Sequence, residues 1–429
     1  MLGNNAMKIN NTKAQSKTGK FGTGDYLKIT ILGFALTALW SSIHSLILPL
    51  RLLDFVPNTQ KNTYLDLLIL TGLILAAVVQ PIAGALSDCC SLRWGRRRPY
   101  ILVGTVILII LTSGILLSQS YVVIFVVYCL MQIASNTVQG PYQAFIPEMV
   151  PEDKRGRASG VKGLLSIIGG VVLIRLVAVL IDRYPADNTG LRLSLIVLGA
   201  IVIVTLLITI FTVREKPWQG KFTSPFTPLR QSFKVDLKAK PQFILFLVAS
   251  FLVFTGWNTL SAHALYYFQD VVGIANPVAV TANLVIAMGA GMIVVVYLAG
   301  LLSDKIGRRP VVVGSGFIGA LGIIVLFFAQ NYWWVMVSGT LLGMCAGAWL
   351  SSQWALATDL VGKGEEAKYL GIANMSIAGA GAAARLIGPL IDTLNTNRAG
   401  FGYQIMLLAC LIYFIAGSIM LMRVKISPH

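Results

Sequence analysis

The chain has 429 residues, of which 56% are hydrophobic and only 12% are charged. A soluble domain carries roughly 25% charged residues, so this composition cannot clothe a water-facing surface. It excludes an ordinary soluble enzyme, and the formal charge of +17 must be explained by where the charges sit.

Lipid as the solvent leaves helices or a closed barrel as spanning elements. The apolar runs are ~20 residues long, which fits helices and not the ~10-residue alternation of barrel strands. In chain order, residues 1–26 are polar, bear lysines and lack an apolar core. They read as a disordered cytoplasmic tail and not as a signal peptide. Six spans follow, beginning near Leu27, Thr63, Tyr100, Tyr121, Ala158 and Leu191, and form a bundle over 27–213. Residues 214–240, with Pro217, Pro225 and Pro228, read as a cytoplasmic linker. A second bundle over 241–423 has spans beginning near Pro241, Pro277, Val311, Tyr332, Lys368 and Phe401, and 424–429 is a short tail. The expected fold is all-α, with twelve transmembrane helices.

Lys and Arg give the orientation. Of the 34, the tails, the linker and the loops on that same side hold 27, among them Arg96, Arg97, Arg98, Arg308 and Arg309. The opposite loops hold five, Arg51, Lys61, Arg183, Arg192 and Arg398, and Arg175 and Arg385 lie inside spans. The split predicts a multi-pass protein of the cell membrane with both termini in the cytoplasm, and it argues against a nucleic-acid partner. The five cysteines show neither a disulfide framework nor zinc-ligand spacing. No metal site, cofactor motif, nucleophile elbow or phosphate loop is present, so no enzymatic activity is expected.

The two bundles repeat each other. Gly84-Ala-Leu-Ser-Asp88 leads through a basic loop to Gly95-Arg-Arg-Arg-Pro99, and Gly300-Leu-Leu-Ser-Asp304 leads to Gly307-Arg-Arg-Pro310. Pro99 and Pro310 are 211 positions apart, as are Glu148 and Asp359. Arg175-Leu-x-x-x-Leu-Ile-Asp182 returns as Arg385-Leu-x-x-x-Leu-Ile-Asp392 at an offset of 210. A near-constant offset marks a duplication, and thus two pseudo-symmetric six-helix bundles.

A duplicated six-span unit with this loop after its second span resembles the major facilitator superfamily. Gln80-Pro-Ile-Ala-Gly-Ala-Leu-Ser-Asp through Pro99-Tyr100, and Asn136-Thr-Val-Gln-Gly-Pro-Tyr-Gln-Ala144, resemble stretches of plant sucrose–proton symporters and their bacterial relatives. The resemblance implies the glycoside–pentoside–hexuronide branch and proton-linked uptake of a sugar or glycoside by alternating access. One departure is that Gln143 stands where the plant symporters carry an arginine implicated in coupled transport. The resemblance also implies inter-half clamps at the cytoplasmic side. Asp88 and Asp304 would hold the starts of the eleventh and fifth spans, offsetting their helix dipoles. Arg96, Arg97, Arg308 and Arg309 would reach Glu148 and Asp359. Topology alone also needs positive charge in these loops.

Inside the spans, Gln132, Asn136, Gln139 and Gln143 fall on one helical face. They read as a wall of amides for sugar hydroxyls, or as inter-helix glue. Gln353 and Trp354 in the tenth span read as a sugar platform or as packing. His44, Trp257, Asn258, His263 and Asn374 lie on spans that by resemblance line the cavity. Arg175 and Arg385 either enter that cavity from the two halves or snorkel outward towards Asp182 and Asp392. Asp66, Asp270, Glu148 and Asp359 all read as lying near span ends, which leaves no mid-membrane carboxylate. By elimination His44 and His263 become the candidate proton carriers, or simply satisfied polar groups. The partners expected are a small solute, a proton as co-substrate and the bilayer, with the chain working as a monomer. The alternative is export of a small amphipathic or drug-like compound.

Overall fold

The computed structural model describes residues 22–151, 154–213, 215, 240–274, 276–361 and 366–425. Residues 1–21 of the expected tail, nearly all of the linker over 214–240 and residues 426–429 lie outside the described residues, while 23–26, expected as tail, are helical.

Among the described residues, twelve helices long and apolar enough to cross a membrane follow one another. In the first half they are α1 (Thr23–Leu52), α2 (Asn58–Asp88), α3 (Arg98–Leu117), α4 (Tyr121–Met149), α5 (Arg155–Leu180) and α6 (Thr189–Thr212). In the second they are α7 (Pro241–Val272), α8 (Pro277–Ile306), α9 (Arg308–Phe327), α10 (Tyr332–Asp359), α11 (Tyr369–Asn397) and α12 (Phe401–Met422). Starts differ from the sequence reading where polar residues are recruited into a first turn. α1 begins at Thr23 because Asp25 accepts the Gly22 N–H at 2.9 Å, as a capping box does. Side chains such as Ile110, Val122 and Phe211 are 66%, 68% and 75% exposed. Only an apolar solvent suits such a surface.

Within the first half α1 packs on α5 and α6, and α2 and α3 pack on α4. The second half repeats the scheme, with α7 on α11 and α12 and with α8 and α9 on α10. Close approach needs small residues. A Cβ on Gly140 of α4 would stand 2.5 Å from the Gln80 carbonyl oxygen of α2, so no side chain fits there. The two stretches that carry the sequence resemblance thus lie back to back.

The halves meet along α2 with α11, α5 with α8, and α1 with α7. The first two seams are related by the internal duplication. Three spans lose regular α-geometry where they approach the other half. α1 has a π turn over Ile43–Ile47 and α7 another over Phe268–Val272, while α11 tightens to a 3-10 turn over Ala384–Leu386. Such breaks often accompany functional positions. Two of them carry His44 and Arg385. We call the end with the two Gly-Arg-Arg loops the motif end, and the other the far end.

Candidate functional site

A cavity of about 400 Å³ lies between the halves. The first half contributes Thr37, Trp40, Ser41, His44, Ser45 and Gln139, and the second contributes Asn258, Ser261 and Arg385. Four residues singled out in the sequence, His44, Gln139, Asn258 and Arg385, therefore share one space. Trp40 and His44, one turn apart, lie against each other with tilted rings whose centroids are 4.9 Å apart.

Hydrogen bonds fix the first-half wall. Trp40 Nε1 donates to Ser135 Oγ at 2.8 Å, and Gln139 Nε2 reaches the same oxygen at 3.2 Å. His44 Nε2 lies 3.0 Å from the Tyr128 hydroxyl, which accepts from Gln132 Nε2 at 2.8 Å. Asn136 donates to the Gln132 carbonyl at 2.8 Å and so belongs to this backing layer. The amide stripe of α4 is thus divided. Gln132 and Asn136 are buried behind the wall, Gln139 is in it, and Gln143 is exposed beyond its motif-end edge.

Other expected residues stand apart from the cavity. Gln353 is buried and accepts from Trp349 Nε1 at 2.5 Å. Trp257 and Trp354 pack against the hydrophobic core. Asn374 is exposed on α11, and Arg175 is half-buried on α5. The two in-span arginines therefore do not oppose each other across the cavity in this conformation. Nor do Asp182 and Asp392 pair with the arginines of their own helices.

Those two aspartates bind the other half instead, at the far end. Asp392 of α11 accepts from Asn62 Nδ2 at 2.8 Å, Thr63 N at 2.7 Å and Thr63 Oγ1 at 2.6 Å, capping the start of α2. Asp182, in the turn after α5, accepts from Asn276, the cap residue of α8. A carboxylate suits a helix start, where N–H groups are unsatisfied and the dipole is positive. Lys61 pairs with Asp270 at 2.7 Å, and Tyr266 donates to the Pro49 carbonyl at 2.8 Å. Beside this seam, in the loop after α5, burial pushes the Tyr184 phenol up to about 12. Its hydroxyl bonds Asp54, which Arg51 also holds at 2.5 Å.

The structure corrects the sequence reading at Asp66. This carboxylate is 1% exposed on its side chain and is enclosed by the other half. Its Oδ2 accepts the Gly388 N–H at 2.9 Å, where α11 resumes after its break. His263 Nε2 lies 3.2 Å from Oδ2, and Arg385 lies 3.6 Å from Oδ1. A position in the second turn of a helix looks interfacial in sequence, but burial here is set by the partner bundle rather than by depth.

At the motif end, Arg97 is the hub, only 4% exposed on its side chain. It donates to Glu148 through Nε at 3.0 Å and NH2 at 2.5 Å, to Asp88 at 2.6 Å and to the Pro141 carbonyl at 3.1 Å. Arg96 also pairs with Glu148. In the second half Arg308 pairs with Asp359 at 2.5 Å. Arg309 departs from expectation, donating to the Leu421 carbonyl at 3.1 Å at the C-terminal end of α12. Arg98 does the same for Ile210 at the end of α6. Donors and acceptors of this pair of contacts are both 211 positions apart. Helix C-termini hold unpaired carbonyls that a guanidinium satisfies.

The helix starts that Asp88 and Asp304 are expected to hold lie on or beside residues 362–365 and 152–153, outside the described residues. Asp88 is bonded within its own half and its side chain is 53% exposed, and Asp304 is exposed.

A family model described as Major Facilitator Superfamily matches residues 26–382 and 277–429. Sucrose transport protein SUC3 of Arabidopsis thaliana is 36% identical over 125 residues, which is 24% of this chain and 21% of that protein. The chain thus matches about a fifth of the length of that relative. Multidrug resistance protein MdtG of Enterobacter lignolyticus is 23% identical over 397 residues, 90% of each chain. Among solved structures, a D-xylose–proton symporter superposes with a TM-score of 0.73 at 18% identity, covering 93% of this chain and 97% of that one.

Proposed function

The chain belongs to the major facilitator superfamily of transporters, and from that premise we propose that it moves a sugar or glycoside across the cell membrane by alternating access, coupled to protons. The cavity wall carries this reading. Trp40 offers an indole face to a pyranose ring, while Gln139, Asn258, Ser261 and Arg385 offer hydrogen bonds to hydroxyls. Donors come from both halves, so a bound solute bridges the two bodies that rock. The likeness to a sucrose transporter supports the same substrate class.

The Lys and Arg distribution supports placing the motif end in the cytoplasm. The far-end seam is then outer, and the conformation described is inward-facing. Asp88 and Asp304, with Arg96, Arg97, Glu148, Arg308, Arg309 and Asp359 holding their loops, act as the cytoplasmic clamp when the outer seam parts. His44, at the cavity wall, is an alternative acceptor for a proton.

Thermal-shift measurement of the purified protein against mono- and disaccharides, at pH 5.5 and pH 7.5, tests the substrate. A stabilising sugar, more so at one pH, supports coupled sugar transport. A second reading, export of an amphipathic compound, is favoured by the 90% mutual coverage with a multidrug resistance protein. Stabilisation by hydrophobic cations with silence from every sugar would select it.

A further inference from the structure

The geometry points to a proton held between His263 and Asp66, forming a proton-binding site split between the two halves. His263 Nδ1 lies 2.9 Å from the Thr259 carbonyl. A carbonyl oxygen can only accept, so Nδ1 carries a hydrogen. In neutral imidazole that leaves Nε2 as a bare lone pair, and Nε2 faces Asp66 Oδ2 at 3.2 Å. Two acceptors opposed at that distance, both buried, repel each other. A proton on Nε2 removes the conflict. Imidazolium then donates to a carboxylate oxygen that also accepts from Gly388 N–H.

His263 is 0% and Asp66 1% exposed on their side chains, so neither can satisfy itself with bulk water. His263 Nε2, Asp66 Oδ1 and two nitrogens of Arg385 have no hydrogen-bond partner in this arrangement. Asp66 belongs to α2 of the first half, whereas His263, Gly388 and Arg385 belong to α7 and α11 of the second. Parting of the far end therefore separates the imidazolium from its counter-ion. The other titratable and charged groups around this point are Lys61, Asp270 and Asp392 in the seam, Tyr266 and Tyr403 from α7 and α12, and Tyr128 with His44 beyond Arg385.

The site works as a latch. With the proton bound, His263 and Asp66 attract and the far end stays shut. When the proton leaves to water in the cavity, whose wall includes Arg385, the remaining lone pair opposes Asp66 and the shut state weakens. No other bond is made or broken. The inference rests on the alternating-access reading above and supplies its coupling residue. The solute closes and loads the carrier, and loss of the proton returns it.

The test is a distance measurement between spin labels at Asn188→Cys and Ala399→Cys, exposed far-end positions on the two halves, in protein with its five native cysteines replaced. In this background the population with the far end shut should fall at least about tenfold between pH 5 and pH 9, the worth of a charge-assisted hydrogen bond. His263→Gln, whose amide donates at every pH, should stay shut and lose the titration. Asp66→Asn should lose the titration too but favour the open state, because Gly388 N–H and Nε2 no longer share a charged acceptor. Asp66→Glu should restore a titration. A distance that does not change with pH, or that titrates unaltered in His263→Gln, overturns the site. Neither outcome touches sugar binding by thermal shift. Conversely, a titrating latch in a protein that no sugar stabilises leaves the proton site standing and removes the substrate reading.

Discussion

Gly388 donates its backbone N–H to Asp66 across the boundary between the halves at 2.9 Å, and no larger residue fits where it stands. A Cβ there would lie 2.6 Å from both the Asn62 carbonyl oxygen and Asp66 Oδ2. One obstacle is backbone and cannot rotate away. Gly388→Ala should therefore push α2 and α11 apart and favour the conformation open at the far end. Overpacking costs about 1–3 kcal/mol, so a shift of tenfold or more is expected in the spin-label populations. An unchanged distance distribution would contradict the contact.

Among the described residues, Asp392 and its duplicate Asp182 do the same job with unequal numbers of bonds. Asp392 accepts from Asn62 Nδ2, Thr63 N and Thr63 Oγ1, whereas Asp182 takes the amide of Asn276. Asp392→Ala should open the far end more than Asp182→Ala does. Orphaning several donors costs roughly 2–3 kcal/mol. Cysteine cross-linking between the two far-end loops, run on both variants, checks the ranking.

Arg97 should matter more to stability than its neighbour Arg96. Its side chain is 4% exposed and ties Asp88, Glu148 and the Pro141 carbonyl together, whereas Arg96 is 26% exposed and shares Glu148 alone. Arg97→Ala removes the buried donor shared by Asp88, Glu148 and the Pro141 carbonyl, with only Glu148 keeping Arg96, and is expected to cost roughly 2 kcal/mol. Arg96→Ala should cost about 1 kcal/mol or less. Melting of the two purified variants in one detergent separates them, and equal melting temperatures would contradict the hub.

Gln139→Ala should weaken binding of whichever sugar stabilises the protein by about tenfold, the value of one or two lost hydrogen bonds. Gln353→Ala should leave affinity unchanged, since that amide is occupied by Trp349 away from the cavity. Isothermal titration of both variants checks the pair of outcomes.

Much of this was legible in the sequence. Span number followed from apolar run length, and the duplication followed from the 211-residue offset. Glu148 and Asp359 as targets of loop arginines came from the family resemblance, carried onto their positions in this chain. In the cavity, His44, Gln139, Asn258 and Arg385 were found because polar residues in apolar runs must face something other than lipid. The rule could not separate wall from backing layer, so Asn136 and Gln353 read like Gln139 although their amides are spent on neighbours. Asp66 escaped notice because distance from a span end is a measure of depth, whereas its burial comes from contacts more than 300 residues away. The helix starts expected to meet Asp88 and Asp304 border residues outside the described ones.

The matched contacts of Arg98 with Ile210 and Arg309 with Leu421 carry a consequence for turnover. Each ties the loop after a second span to the last helix of its own bundle, so neither is made or undone as the two bodies swing. Such braces stiffen a lever without resisting its stroke. Heat tolerance can therefore be raised or lowered at these two corners while the speed of the cycle, decided at the seams, keeps its value.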